Sequence, residues 1–430
     1  MNADFVKDLE ERQLIHQVSS PALADALRNG RLAGYIGFDP SSDSLGVGNL
    51  VMLILLMRFQ HAGHRPIGVV GGGTGMIGDP SGKTDERSLL SREQTEQNAA
   101  GIRKQVERFL DFSGPDGALL VNNAEWLGQL KLLDFLRDIG KHFSVNQMIV
   151  RDSVRARLAG REQGISYTEF TYMLLQAYDY LELHDRYGCT LQMGGSDQWG
   201  NILSGADLIR RLRGVEAYAL TTPLITQADG TKFGKTEAGN VWLDPERTSP
   251  YQFYQFWLNA GDRDVVQHLN TFTFLSVRQI AELAREVADA PQQRTAQRML
   301  AEEVTRLVHG PEALLRAERA TAMLFSKDAD FRQLSEQELR EAFLDAPTSR
   351  LAPTALGTPD AGLIACVADA GLYPSRGQAR KDLPNGSIFV NNVPIRDSNY
   401  VLSQADVLAG GFILLRKGKK HYHVLRVAHE

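Results

Sequence analysis

Two cysteines in 430 residues, Cys189 and Cys366, leave no material for a disulfide framework or a cysteine-rich zinc site. Both read as small buried apolar side chains in a chain kept reduced in the cytoplasm. Long apolar runs are missing too. The longest, Leu50 to Met57, is eight residues and stops at Arg58, short of the roughly 20 that span a bilayer. The opening MNADFVKDLEER alternates charges around no apolar centre and does not read as a secretory leader. No internal repeat or low-complexity tract is visible. What remains is an ordinary globular composition, 43% hydrophobic and 23% charged, long enough for about three domains.

The net charge of −5 hides an asymmetry. From Asp360 onward nine Lys/Arg face six Asp/Glu, and Arg416 to Arg426 holds five basic residues and no acid. A basic tail on an acidic body hints at a polyanion partner near the C-terminus, although a solvated tail explains it as well.

Composition predicts an α/β region over 30–245, where glycine-rich β-branched runs such as Tyr35 to Phe38 and Ile67 to Gly72 alternate with helical patterns. Residues 248–325 carry Ala, Leu, Glu, Arg and Gln at helical spacing and read as a helical domain. Pro347, Pro353 and Pro359 among small residues read as linker. The last 70 or so residues read as an α+β module: a helix, a second one capped by Ser375, the turn Asn385-Gly386, and strands either side of Lys417 to Lys420.

Four fragments offer chemistry, each with a plain alternative. GGGTGMIGDPSGKT (Gly71 to Thr84) satisfies G-x-G-x-x-G at Gly73, Gly75 and Gly78, but Asp79-Pro80 follows where a helix must open. Its Gly82-Lys83-Thr84 ending lacks the Walker A glycine at Ile77, so a tight turn or a close backbone approach to a ligand remains. SYTEFTYMLLQAYDYLEL (Ser166 to Leu183) reads as a helix opened by Ser166 and Glu169. Tyr172, Gln176 and Asp179 share the face opposite its core stripe, which is either solvated or the wall of a polar pocket. CTLQMGGSDQWGN (Cys189 to Asn201) reads as a strand, then a turn in which Ser196 or Asp197 caps a helix or Asp197 takes a ligand hydroxyl. TKFGKT (Thr231 to Thr236) puts Lys232 and Lys235 on a glycine-containing loop, suited to phosphate charge or to solvent alone.

Taken with FDPSSDSLGVGNL near the front, TSPYQFYQFW and SRGQARKDLPNGSIFVNN, these fragments occur in an order that strongly resembles bacterial tyrosyl-tRNA synthetases, class I enzymes, from about residue 5 to the end. The resemblance implies a Rossmann-type parallel-sheet catalytic domain (1–225) with a dimer-forming insertion, a KFGKT loop (226–247), an α-helical domain (248–325), a linker (326–359) and a small α+β S4-like RNA-binding module (360–430). It implies activation of L-tyrosine by ATP with Mg²⁺, release of pyrophosphate, and transfer of tyrosyl to the 3′ end of tRNA(Tyr), in a cytoplasmic homodimer with no membrane attachment. No tightly bound cofactor and no protein metal site are expected. Phe135 to Ile149 would belong to the dimer contact.

Carried over residue by residue, the resemblance gives Tyr35 and Asp179 to the substrate hydroxyl, and Asp79, Tyr172 and Gln176 to its ammonium group, with Asn123 nearby. Gln198 addresses the carboxyl end and Asp197 the ribose. Asp39, Gly48, Asn49, Gly195 and Leu224 flank ATP, while Ser41, Lys83, Arg87, Lys232 and Lys235 stabilise phosphate charge. Arg376, Arg380, Lys381, Arg416, Lys417, Lys419 and Lys420 contact tRNA. Two stretches depart from the family: Gly46-Val47-Gly48-Asn49 stands where class I enzymes carry H-I-G-H, and Ala124-Glu125 follows Asn123 where an aromatic and an Asp are usual. An RNA-binding paralogue without adenylation, or a synthetase for tryptophan, would be the other readings. The retained lysines and Asp197 disfavour the first, and the Tyr35–Asp179 pair disfavours the second.

Overall fold

The computed structural model describes residues 4–81, 90–151, 154–155, 164–226, 230, 233–236, 239–326, 329–418 and 421–427. It forms two compact units, Met1–Asp244 with Gly261–Ala296, and Pro245–Ala260 with Gln297–Glu430. Lys83, Arg87, Lys232, Lys419 and Lys420 lie outside the described residues.

The first unit is built on strands β1 (Gln17–Val18), β2 (Ala33–Phe38), β3 (Arg65–Val70), β4 (Leu119–Asn122), β5 (Cys189–Gly195) and β6 (Tyr218–Thr222). They lie in the order β1-β6-β5-β2-β3-β4, all parallel except β1. Parallel strands must be covered on both faces, which is why Ile67, Val69, Leu191, Met193 and Leu220 are all buried. Helices Val47–His61 and Arg92–Val106 pack on β3, and Tyr167–Tyr187 and Trp199–Arg213 pack on β5. The first of these is apolar nearly all round because helix Val265–Phe272 covers another side of it. A short hairpin of β7 (Lys235–Thr236) and β8 (Gly239–Asn240) follows the sheet.

One composition block is split by the tertiary structure. Of the helices predicted together over 248–325, the segment Gly261–Ala296 joins the first unit. Buried Arg12 and Arg58 explain the attachment. Arg12 donates to the Leu275 carbonyl at 2.7 Å, and Arg58 to the Thr273 carbonyl and to Asp8 at 2.8 Å. Helical periodicity reports that a segment is helical, not which core its apolar face covers.

The second unit carries a five-stranded sheet of β9 (Thr348–Leu351), β10 (Ile388–Val390), β11 (Val393–Ile395), β12 (Phe412–Lys417) and β13 (His421–Val427), in the order β11-β10-β12-β13-β9. Asn391 and Asn392, with φ 48 and 72, make the two-residue turn from β10 to β11, a conformation Asn tolerates better than most residues. Part of the expected linker is therefore not one. β9 pairs in parallel with β13, and Phe331, Leu334, Leu339 and Phe343 join Leu408, Phe412, Leu414 and Val424 in an apolar cluster. Proline and small residues suit an edge strand as well as a spacer.

Arg58 gives a direct test of how the first unit is tied together. Replacing it with Met keeps the apolar stem but leaves Asp8 half-paired and the Thr273 carbonyl without its donor. The cost should be about 2–4 kcal/mol. Breaking the exposed Arg278–Glu282 pair should cost under about 1 kcal/mol. Thermal unfolding of the two variants separates these outcomes.

Candidate active site

In an open parallel sheet the loops leaving two neighbouring strands turn to opposite faces where the strand order reverses, and a crevice opens between them. Here the reversal lies between β2 and β5, and a cavity of about 300 Å³ occupies their carboxyl ends. It collects both predicted ligand sets: Tyr35, Asp79, Asn123, Tyr172, Gln176, Asp179 and Gln198, and Asp39, Ser41, Gly48, Asn49, Gly195, Asp197 and Leu224. Lys235 is exposed on the hairpin and is not part of the wall. The basic residues Arg376, Arg380, Lys381, Arg416 and Lys417 belong to the second unit.

The open question about the Tyr172 face is answered by burial. Ser166 caps helix Tyr167–Tyr187 by accepting from the Glu169 N–H, and Tyr172 and Asp179 are then buried on the cavity side, 6% and 4% exposed. Asp179 takes 2.9 Å and 2.7 Å hydrogen bonds from the Asn123 amide and the Trp126 indole. Burial pushes its pKa up to about 7, against the pull of those two donors. Asn123 is occupied on every side: it also donates to Thr74 and accepts from the Gly73 N–H. It holds the loop after β3 against Asp179, whichever residues follow it.

Thr74 passes the connection on by donating to Asp39 at 2.7 Å, and the Tyr172 hydroxyl donates to the other Asp39 oxygen at 2.7 Å. Opposite, Asp79 accepts from the Gln198 amide at 2.6 Å and from the Ser81 N–H. Asn201 donates to Gln176 at 3.0 Å, which orients that amide. Neither Ser196 nor Asp197 caps helix Trp199–Arg213; Gln198 holds the cap position without a side-chain bond, and Asp197 faces the cavity. The glycine run has a packing reason. A Cβ on Gly71 would sit 2.1 Å from the Asp39 carboxylate, and one on Gly72 2.4 Å from the Asn122 amide. These glycines make room for neighbouring side chains.

Two buried polar atoms in the wall have no partner among the described residues: the Tyr35 hydroxyl and the Gln192 amide oxygen, on neighbouring strands in register. Such atoms are rare in folded proteins and costly unless a ligand or water completes them. Tyr35 is 2% exposed, edge-on to Tyr180, and burial and then Asp179 push its pKa well up. Its phenol stays neutral. Thr74, Trp126, Gln192 and Asn201 escaped the reading of the sequence. Trp126 carried one usable signal, an indole directly after the Ala124-Glu125 departure from the family pattern. The wall holds four carboxylates, Asp39, Asp79, Asp179 and Asp197, and among the described residues no Lys or Arg. It suits a ligand with an ammonium group and a hydroxyl.

The chain matches the family described as tRNA synthetases class I (W and Y) over residues 27–326, and the Tyrosine--tRNA ligase SYY-like C-terminal domain over 338–425. It is 52% identical over 424 residues to the tyrosine–tRNA ligase of Roseiflexus castenholzii, covering 98% of this chain and 99% of that one. With the Geobacillus stearothermophilus ligase it shares 49% identity over 429 residues, covering 99% and 100%. A C-terminally truncated mitochondrial tyrosyl-tRNA synthetase from Aspergillus nidulans superposes with a TM-score of 0.67 at 30% identity, over 75% of this chain and 94% of that one.

The Asp179 cluster predicts a pH signature in the unliganded protein. An unfolded Asp releases its proton near pH 4 and folded Asp179 near 7, so the folded state binds the extra proton between them and loses stability as pH rises through that window. Trp126→Phe removes a donor to the charged form and should raise the folded pKa by about one to two units. The drop in Tm from pH 5 to pH 8 should then be larger in the variant than in the wild type. Equal drops would mean that the indole does not hold the charge.

Proposed function

The chain belongs to the class I tryptophan- and tyrosine-tRNA synthetases, and from that membership we propose how its own residues divide the work of the reaction. It ligates tyrosine to tRNA with ATP. One observation supports the substrate assignment most: the unpartnered Tyr35 hydroxyl beside the hydrogen-bonded Asp179 carboxylate. The substrate phenol donates to a remaining lone pair of Asp179 and accepts from Tyr35, giving that hydroxyl the partner it lacks. Tryptophan has no hydroxyl to offer there.

The ammonium group lies among Asp79, Tyr172 and Gln176, within the acidic part of the wall. Gln198 addresses the carboxyl end, and Asp197 takes a ribose hydroxyl, with Gly195 and Leu224 beside the nucleotide and Asp39 between the two ligands. In-line attack of the tyrosine carboxylate on the α-phosphate forms the mixed anhydride and expels pyrophosphate; the tRNA terminal hydroxyl then displaces AMP. Neither step needs a protein nucleophile. Positioning and charge stabilisation carry both. Lys83, Arg87, Lys232 and Lys235 supply the positive charge, and the Ser41 hydroxyl in the cavity wall a neutral hydrogen bond.

The oxygens of Asp39, Asp79 and Asp179 are taken by hydrogen-bond donors, a poor setting for Mg²⁺ ligands, so Mg²⁺ travels on the ATP phosphates. At the position of the family's first histidine, Gly46 has an ordinary extended backbone, and an added Cβ would lie 3.3 Å from the Val241 carbonyl. Asn49 accepts from the Gly46 N–H at 3.3 Å, which leaves its amide nitrogen as the donor in place of an imidazole.

Residues 132–150 expose Leu132, Leu133, Leu136, Val145, Ile149 and Val150, the first two at 70% and 78%. So much apolar surface in one segment supports a homodimer through this insertion. No helix among the described residues is long and apolar enough to cross a membrane, and two buried free cysteines suit the cytoplasm. The C-terminal module binds tRNA through Arg376, Arg380, Lys381, Arg416, Lys417, Lys419 and Lys420.

Pyrophosphate exchange with tyrosine, phenylalanine and tryptophan tests the substrate assignment. Tyr35→Phe should lower the preference for tyrosine over phenylalanine by roughly tenfold, one neutral hydrogen bond; an unchanged ratio would take Tyr35 out of recognition. For the RNA side, the combined variant Arg376→Ala, Arg380→Ala, Lys381→Ala should bind tRNA more weakly with a shallower salt dependence, by up to about 0.7–0.9 in log–log slope per lost phosphate contact. Exchange should be unaffected. An unchanged slope would move the RNA contact elsewhere.

A further inference from the structure

We propose that Phe233 is a positioning residue for Lys235: its ring, held between His268 and Phe272, sets where that ammonium meets the phosphates. The proposal rests on the adenylation reading given above. The ring stacks on Phe272 at 5.3 Å with an interplanar angle of 24° and lies 4.9 Å from His268. Both partners are buried on helix Val265–Phe272, so the platform is rigid.

The next residue is pinned from another side. Gly234 has φ +82, and a Cβ there would come within 2.7 Å of the Val47 side chain. Its carbonyl accepts from the Val241 N–H at 3.0 Å, and the Val241 carbonyl accepts from the Val47 N–H at 3.0 Å. Gly234 is thus fixed against the first turn of the helix whose Gly48 and Asn49 line the cavity, and Phe233 against helix Val265–Phe272. Lys235 comes immediately after them, exposed, on a strand of two residues. A two-residue hairpin ladder is too weak to hold a lysine in place. The anchor must come from the residues before it, through the aromatic contact and the Gly234 carbonyl together.

Charge stabilisation of a transferring phosphoryl group depends steeply on donor position, and an error of about 1 Å can cost on the order of 100-fold. Phe233→Ala should therefore lower kcat for pyrophosphate exchange by about 10- to 100-fold, while tyrosine Kd, measured by equilibrium dialysis, stays within about twofold because no described residue of the loop lines the tyrosine wall. Phe233→Leu, which keeps an apolar contact without the stack, should fall between Ala and wild type. The deciding measurement repeats Phe233→Ala in a Lys235→Ala background. If the ring acts through the lysine, the second loss should be under about threefold.

A full loss in both backgrounds, exchange unchanged in Phe233→Ala, or tyrosine binding weakened in step with kcat would each overturn the proposal. Absence of tyrosine-dependent exchange in the wild-type chain would instead remove the adenylation reading on which it stands.

Discussion

A carboxylate withdrawn from water has to be met by donors, and Asp179 organises the first unit through that demand. Asn123, at the end of β4, and Trp126 answer it. Asn123 at the same time holds Gly73 and Thr74; Thr74 bonds Asp39 after β2, and Asp39 bonds Tyr172, two turns from Asp179 on the same helix face. The ends of three strands and one helix are joined into a closed loop of hydrogen bonds. In a low-dielectric interior such a loop is stiff, because each member would be left unpaired if its neighbour moved. Gly71 is a packing requirement of that loop, since a Cβ there would meet Asp39 and Thr74.

Charge is unevenly placed among the described residues. The cavity wall is acidic, which suits the neutral hydroxyl and cationic ammonium of an amino acid. No described Lys or Arg lines it, and Lys235 is exposed on the hairpin. Keeping these apart has a physical basis. Lysines inside the wall would pair with Asp39 or Asp79 and be unavailable to phosphate, and those carboxylates would lose their hold on the ammonium group. The cost is that Lys235 depends on how its hairpin is anchored, which we assign to the contacts of Phe233 and Gly234.

The second unit follows a different economy of parts. Its sheet is short-stranded and mostly antiparallel, closed on one edge by β9 from a segment that looks like a spacer. Arg416 lies over the Phe389 ring at 3.7 Å and Lys417 over Tyr373 at 4.2 Å. In both it is the charged head that lies on the aromatic face, a cation–π contact that fixes where the charge sits.

Local signals were legible in the sequence because they arise from neighbours. Ser166 and Ser375 cap helices a few residues away, Asn385-Gly386 turns the chain where expected, and the β-branched runs at Tyr35 and Ile67 form parallel strands. The ordered motifs identified the family and, with it, the residues that gather at the cavity. Periodicity could not say whether the Tyr172–Gln176–Asp179 face met water or a pocket, since the answer came from Asp39, 133 positions from Tyr172, and Trp126, 53 from Asp179. Nor could it find Thr74, Gln192 and Asn201, ordinary polar residues that matter only for what they face. The same limit let Gly261–Ala296 be read with the wrong helices and β9 as a linker. Propensity and spacing specify what an element is; which buried surface and which distant polar group it meets is settled only when the chain closes on itself.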